Sequence, residues 1–250
     1  MMTPNWKRMM IVFLCGVFLA DPLTEAAPRL GRAIAVKITG DSEYYTQTHP
    51  EWRRLRMGLA LTEGASSRTG TNSVSDFWLT TEAFVRLTPL TIVRFDQLRE
   101  DIKGLPQPGK KPAASSSIEL ERGKILVRAD APTTNSSFSV TTRACLSEVQ
   151  GFGAYSVWLV NNRACVRVRT DTVTVLVRGR AEPVVVQAGQ QLCVDCDPRT
   201  NEAVDIRVQP TPVAEPDPDW PPNWPPPPPP GGPTTVVDPP PVYEISPTVP

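Results

Sequence analysis

The chain has 250 residues, and its 26 lysines and arginines balance its 26 aspartates and glutamates, so the formal net charge is zero. A neutral chain without a basic run longer than two residues has no global field that would draw it to nucleic acid or to an anionic membrane. It contains 29 prolines, and eighteen of them lie between Pro210 and Pro250, which excludes a chain that is globular throughout.

The N-terminus has the layout of a secretory signal peptide. Lys7 and Arg8 form a positive region, an apolar run of twelve residues extends from Met9 to Ala20, and small residues precede a cleavage point after Ala26. A helix needs about 20 apolar residues to span a bilayer, so this run is short for a membrane span. We therefore predict that residues 1–26 are a signal peptide and that the protein is extracytoplasmic, in the periplasm, in the cell envelope or secreted. The alternative is a buried N-terminal helix.

From Ala33 onward the sequence is typical of short β-strands separated by turns. Valine occupies every second position between 173 and 177, a period of 2 that indicates a strand with one buried face. Asn161-Asn162 separates two strand candidates at hairpin spacing, because asparagine tolerates the left-handed backbone of such a turn. No long helical period follows the apolar run, so we predict an all-β domain, a two-lobed β-sandwich or β-helix-like fold. The strand candidates are Ala33–Ile38, Phe77–Leu79, Phe84–Leu87, Thr91–Phe95, Ile118–Leu120, Ile125–Arg128, Phe138–Thr141, Ser156–Val160, Cys165–Arg169, Val173–Arg178, Val184–Val186, Gln191–Val194 and Val204–Val208.

One segment, Glu100–Ser117, interrupts this pattern with proline, glycine, lysine and serine. Such a composition cannot bury apolar surface, so we predict a mobile loop at 100–117. The loop divides the β region into halves of about 31–99 and 118–208. Because each half alone offers little core, we predict two lobes of one domain that spans 31–208.

The character of the sequence changes at Gln209, where a proline-rich tail begins. Proline fixes φ and removes the backbone donor, so residues 209–250 are predicted to be disordered or extended polyproline II. Trp220 and Trp224 lie in this tail, which cannot bury them by itself. They are candidates for anchors that dock into a groove of a partner, although the sequence favours a plain spacer over such a docking segment. Three other tryptophans are predicted to pack in the β core: Trp52, Trp78 and Trp158.

Four cysteines remain once Cys15 leaves with the signal peptide, namely Cys145, Cys165, Cys193 and Cys196. An even number in an exported chain predicts two disulfides, with three connectivities open. Of these we favour Cys145 with Cys165 and Cys193 with Cys196. The alternatives for the C-x-x-C at 193–196 are a redox pair, half of a zinc site, and free or intermolecular thiols.

The sequence has few groups that could carry catalysis. His49 is the single histidine and lies in a polar segment, so it is predicted to be a solvated loop residue. The carboxylate pairs Glu119/Glu121 and Asp195/Asp197 have the period of a strand face, where solvated charges are commoner than acid–base pairs. No phosphate-binding glycine motif is present. We therefore predict no enzymatic activity, no cofactor and no metal.

The region from Trp52 to Phe95 has glycines six residues apart at 58, 64 and 70, followed by alternating apolar positions. Together with the second half, it resembles the FecR domain, an extracytoplasmic module named after the regulator of ferric-citrate uptake. The residues that carry the resemblance in the first half are Trp52, Leu55, Gly58, Leu61, Gly64, Thr69, Gly70, Ser73, Phe77, Leu79, Leu87, Pro89, Thr91 and Val93. Those in the second half are Leu120, Gly123, Ile125, Val127, Phe138, Val140, Thr142 and Ala188-Gly189-Gln190.

The resemblance implies a protein that binds and signals. Family members that regulate sigma factors have a cytoplasmic region and a membrane span before the β domain, whereas here the apolar run of residues 9–20 is short. We therefore predict an exported, stand-alone FecR-like module that acts through contacts with an envelope or cell-surface protein, or with the cell wall. One alternative is a membrane-anchored regulator of transmembrane signalling that retains residues 9–20. The other is a thiol redox or carbohydrate-active enzyme.

Overall fold

The computed structural model describes residues 29–101, 113–130, 135–210, Trp220 and Trp224. These residues form eighteen β-strands and no helix, which confirms the predicted all-β class. Accordingly, no helix among them is long and apolar enough to cross a membrane. The predicted signal peptide and most of the predicted proline-rich tail lie outside the described residues. The strands are β1 (Arg29–Leu30), β2 (Ala33–Thr39), β3 (Ser42–Thr46), β4 (His49–Arg54), β5 (Ala60–Leu61), β6 (Ser66–Thr69), β7 (Val74–Leu79), β8 (Ala83–Leu87), β9 (Ile92–Asp101), β10 (Ala113–Ala129), β11 (Ser137–Thr142), β12 (Leu146–Gln150), β13 (Gly153–Val160), β14 (Arg163–Thr170), β15 (Thr172–Val177), β16 (Val184–Gln187), β17 (Gln190–Cys196) and β18 (Ala203–Pro210).

The strands form two sheets that share the long strand β10. Sheet A has the order β4-β3-β6-β9-β10-β11-β12-β15-β16, with β1 paired to the far end of β9. Sheet B has the order β5-β2-β7-β8-β10-β13-β14-β17-β18. All pairs are antiparallel except β10 with β11. Each sheet therefore contains strands from both halves of the domain.

Strand β10 passes from sheet A to sheet B at Gly123. Residues up to 122 pair with β9, and residues from 123 onward pair with β13. Gly123 has a φ of +91°, and a Cβ there would lie 2.5 Å from the Thr91 Oγ1. That hydroxyl donates to the Lys124 carbonyl and accepts from the Lys124 amide, both at 3.0 Å. Only glycine allows this close approach. The sequence predicts two separate strands here, and the structure has one because the glycine bends the strand without ending it.

The core lies between the two sheets. Phe77 of sheet B and Phe95 of sheet A meet edge to face, with ring centroids 5.3 Å apart. The alternation predicted for 172–177 is confirmed, because Val173, Val175 and Val177 are buried in β15 and the residues between them are not. The hairpin at Asn161 is confirmed as well, with a φ of +54° at that residue.

The predicted loop at 100–117 is wrong at its ends. Residues 100 and 101 complete β9, and Ala113–Ser117 begin β10 in register with it. Ala114 and Ser116 are buried there, and the Ser116 hydroxyl accepts a hydrogen bond of 3.1 Å from Thr81. Their small side chains fit an inward position. Because alanine and serine are weakly hydrophobic, the sequence shows no alternation that would predict a strand here. Residues 102–112 lie outside the described part of the chain.

Candidate functional site

The outer face of sheet B carries aromatic and charged residues that point away from the core. In β7 and β8, Phe77 and Val85 point inward, so their neighbours Trp78 and Phe84 point outward. Trp78 and Phe84 lie opposite each other, with ring centroids 6.1 Å apart and planes 13° apart. Leu126 of β10 lies on the same face and is fully buried. This surface is therefore apolar in spite of its outward direction.

The tryptophans of the tail cover this face. Trp224 contacts Phe84 and Leu126 and is only 6% exposed. Trp220 packs against the same cluster, with its ring centroid 5.2 Å from that of Trp224 and the two planes perpendicular. The sequence predicts that their own segment cannot bury these residues. In the structure the neighbouring sheet buries Trp224. Docking of the two tryptophans on another protein stays a prediction.

An ion pair lies beneath Trp224. The Arg86 guanidinium donates two hydrogen bonds of 2.6 Å to the two carboxylate oxygens of Asp76. Asp76 is 0% exposed although it belongs to the outer face. The Arg86 Cζ lies 5.4 Å from the centroid of the Trp224 ring, within the range of a cation–π contact. The tail indole thus helps to remove this ion pair from water.

A second arginine faces the other indole. The Arg169 Cζ lies 5.3 Å from the Trp220 ring centroid. Beside the two tryptophans, Arg128, Asp130 and Asp171 contribute to a cleft of about 460 Å³. Each tail indole therefore has a guanidinium from sheet B against it. We call the surface formed by Trp78, Phe84, Asp76, Arg86, Leu126 and Arg169 the indole site.

The prediction that Trp52, Trp78 and Trp158 pack in the core is wrong. Core aromatic positions belong to Phe77, Phe95, Phe138 and Tyr155, whereas the three tryptophans are only partly buried. Trp158 lies on the outer face of sheet B. The Lys124 Nζ is 5.8 Å and the Arg167 Cζ is 5.9 Å from the centroid of its ring. Because side chains alternate along a strand, an inward residue at 77 or 157 places its tryptophan neighbour outside.

Cys145, Cys165, Cys193 and Cys196 all form disulfides, as predicted, but the favoured pairing is wrong. The bonds join Cys145 with Cys196 and Cys165 with Cys193, with Cα separations of 5.3 and 4.2 Å. Cys193 and Cys196 lie three residues apart in β17, so their side chains face opposite ways and their Cα atoms are about 10 Å apart. A disulfide reaches no more than about 7 Å between Cα atoms. Each cysteine of the C-x-x-C is therefore bonded to a cysteine outside that motif.

The remaining candidates for chemistry are held by arginines or exposed. Glu119 is paired with Arg94 at 2.6 Å and with Arg143 at 2.5 Å. Asp195 is paired with Arg163 at 2.5 Å, and the hydrogen bond from that guanidinium lowers the pKa of Asp195. His49 is exposed as predicted, but the predicted loop is wrong, because the residue begins strand β4. Among the described residues, no group of three or more histidines, cysteines or acids could hold a metal ion.

A further cleft of about 520 Å³ lies at one edge of sheet A. Arg54, Arg68 and Arg122 line it together with Glu43. The Arg68 Nε donates a hydrogen bond of 2.6 Å to Glu43, and the guanidinium lies 4.2 Å from the Trp52 ring centroid. Part of the positive charge is thus neutralised within the cleft itself.

Four members of the indole site were not predicted from the sequence, namely Asp76, Phe84, Arg86 and Leu126. The sequences of β7 and β8, V-S-D-F-W-L and A-F-V-R-L, do contain a signal for this site. Their alternation places two aromatic side chains, one aspartate and one arginine on the face away from the core. Pairing β7 with β8 across their short turn would bring Asp76 opposite Arg86. Their relation to the tail could not have been found in this way.

No family model matches the chain, and no curated protein matches it. Two crystal structures are similar, both of a "putative anti-sigma factor" from Parabacteroides distasonis ATCC 8503, at 2.50 and 1.65 Å resolution. Each is 17% identical with a TM-score of 0.43, and the match covers 58% of this chain and 59% of that chain. A likeness at this level carries no argument about what the chain does.

Proposed function

We propose that the protein is an exported, non-enzymatic FecR-like module that binds a protein or envelope partner through the indole site. The observation that carries the proposal is the burial of Trp224 on the outer face of sheet B. A sheet face that buries a tryptophan of a proline-rich segment has the chemistry of a peptide-binding surface, because aromatic pockets take up such segments at small cost in conformational entropy.

Export is supported by the two disulfides, which are typical of an oxidising, extracytoplasmic compartment. The mature N-terminus, measured by mass spectrometry of the protein from its native host, tests this part. A start at Ala27 supports release after cleavage. An intact Met1 supports the second candidate, a membrane-anchored regulator of transmembrane signalling that retains the apolar run at 9–20.

Binding is tested by affinity capture from envelope extracts with four full-length proteins. We expect the wild type and a Trp52→Ala control, whose substitution lies on sheet A, to retain the same partner. The Phe84→Ala variant should lose it, because the substitution removes the floor of the indole site without touching the core. The Trp220→Ala/Trp224→Ala variant shows whether the tail contributes. Equal capture by the wild type and Phe84→Ala, or capture by none of the four, contradicts the proposal.

A further inference from the structure

We propose that the indole site is a receptor for tryptophan-containing, proline-rich peptide segments, and that the chain's own Trp220–Trp224 segment occupies it as an intramolecular competitor. The inference rests on the proposed function and names the class of partner that the site takes. Three observations carry it: the way the tail is held, the make-up of the floor, and the length of the tether.

The two described residues of the tail, Trp220 and Trp224, contact the domain through their indole rings. Residues 220–225 read W-P-P-N-W-P, and a proline has no N–H to give to a sheet ladder. The Trp224 side chain packs against Phe84 and Leu126 and is 6% exposed. The two indoles lie against Arg86 and Arg169 respectively. The site thus recognises two indoles four residues apart, each opposite a guanidinium.

The residues on which the indoles rest, which we call the floor of the site, have a composition compatible with a surface that is alternately covered and exposed to water. A purely apolar patch of this kind would favour aggregation whenever the tail left it. Here the floor combines Phe84 and Leu126 with the ion pair of Asp76 and Arg86. Asp76 and Arg86 lie opposite each other in β7 and β8, and the two hydrogen bonds between them hold the Arg86 guanidinium in a bidentate geometry. Arg86 is therefore oriented before the ligand arrives, which lowers the cost of binding.

The tether between the domain and the tail indoles is short. Strand β18 ends at Pro210, and nine residues separate it from Trp220. A ligand on a linker of this length has an effective concentration in the millimolar range. An external segment with the same chemistry must displace the tail. The apparent affinity of that external segment is its intrinsic affinity multiplied by the fraction of molecules in which the site is free. The tail thereby sets the threshold at which a partner is bound.

The experiment uses a fluorescein-labelled peptide with the sequence of residues 217–231 and measures its fluorescence anisotropy against full-length proteins. We expect the Trp220→Ala/Trp224→Ala variant to bind the peptide at least about tenfold more tightly than the wild type, whose site is occupied. Adding Phe84→Ala to the double variant should abolish binding. A peptide with alanine at both tryptophan positions is the ligand control, and near-UV circular dichroism shows that each variant is folded.

Each outcome decides the proposal. A folded double variant that does not bind the peptide overturns it, and so does equal binding by the wild type and the double variant. Sedimentation of the wild type gives the third outcome. A dimer that is lost in the double variant would mean that the tail docks on a second copy, which contradicts intramolecular competition. If the peptide fails while Phe84-dependent capture from envelope extracts succeeds, the inference is wrong and the proposed function stands.

Discussion

At the scale of single residues, the ion pair between Asp76 and Arg86 is the most informative feature. Its two hydrogen bonds of 2.6 Å leave both charges compensated, yet Asp76 is entirely excluded from solvent on the outward side of a sheet. A buried pair is costly to break, because removing one partner leaves the other charge uncompensated in a low-dielectric environment. The pair is therefore a position at which the burial of this face in solution can be tested.

We predict that Asp76→Asn lowers the free energy of unfolding by about 3 kcal/mol or more, since it leaves Arg86 buried without its counterion. The matched control is Asp205→Asn in β18, where the partner Arg207 and the aspartate are both exposed. That change should cost less than about 1 kcal/mol. Urea denaturation followed by circular dichroism measures both. Equal, small losses would mean that water reaches Asp76 and that the ion pair is not buried in solution.

At the scale of elements, the two disulfides have different roles. Cys165 and Cys193 lie directly opposite each other in β14 and β17, so their bond lies within sheet B. Cys196 ends β17, whereas Cys145 precedes β12, so their bond connects sheet B with sheet A. The second bond therefore stabilises the packing of the sheets, and the first stabilises a pair of strands that the ladder already joins.

We predict that Cys145→Ala/Cys196→Ala destabilises the protein more than Cys165→Ala/Cys193→Ala. Cys145 and Cys196 are 51 residues apart in sequence, and Cys165 and Cys193 are 28 residues apart. On the chain-entropy account these correspond to about 4 and about 3.5 kcal/mol at 25 °C, an upper bound for each because the loops are nested. Thermal unfolding of both double variants gives the order of the two effects.

The connectivity itself is checked by mass spectrometry of peptides from a non-reducing digest. We expect peptides that link Cys145 with Cys196 and Cys165 with Cys193. A peptide pair that links Cys145 with Cys165 would contradict the structure and restore the pairing that the sequence favoured.

At the scale of the whole molecule, the two halves of the sequence contribute to one core. Phe77 and Phe95 come from the first half and Ile125, Val157 and Val175 from the second, and all belong to a single buried cluster. Because β10 lies in both sheets, neither sheet is complete without it. The two halves of the domain, before and after the 100–117 segment, are thus joined by hydrogen bonds between strands as well as by packing of core side chains.

We predict that residues 29–210 unfold in one cooperative step. The shared strand and the shared core couple the two sheets, so that loss of one exposes the other. Differential scanning calorimetry tests this by comparing the calorimetric enthalpy with the van't Hoff enthalpy, which should agree. Two resolved transitions, or a calorimetric enthalpy well above the van't Hoff value, would show that the halves unfold separately.

Four features could be predicted from the sequence alone: the all-β class, the alternation in β15, the hairpin turn at Asn161 and the use of four cysteines in disulfides. These features depend on side-chain period, turn preference and residue type, which are properties of neighbours along the chain. Most predicted strands therefore correspond to observed ones, although short polar strands such as Ser66–Thr69 and the small-residue start of β10 were missed.

Three features could be read from the folded structure but not from the sequence: which cysteines pair, where β10 changes sheets, and what Trp224 contacts. Each of these depends on the register and packing of segments far apart in sequence, and hydrophobic periodicity carries no information about such partners. Cys193 meets Cys165 because β17 lies beside β14 in register. In the same way, Trp224 is buried because Phe84 of β8 and Leu126 of β10 meet on one face of sheet B and form an apolar surface for its indole.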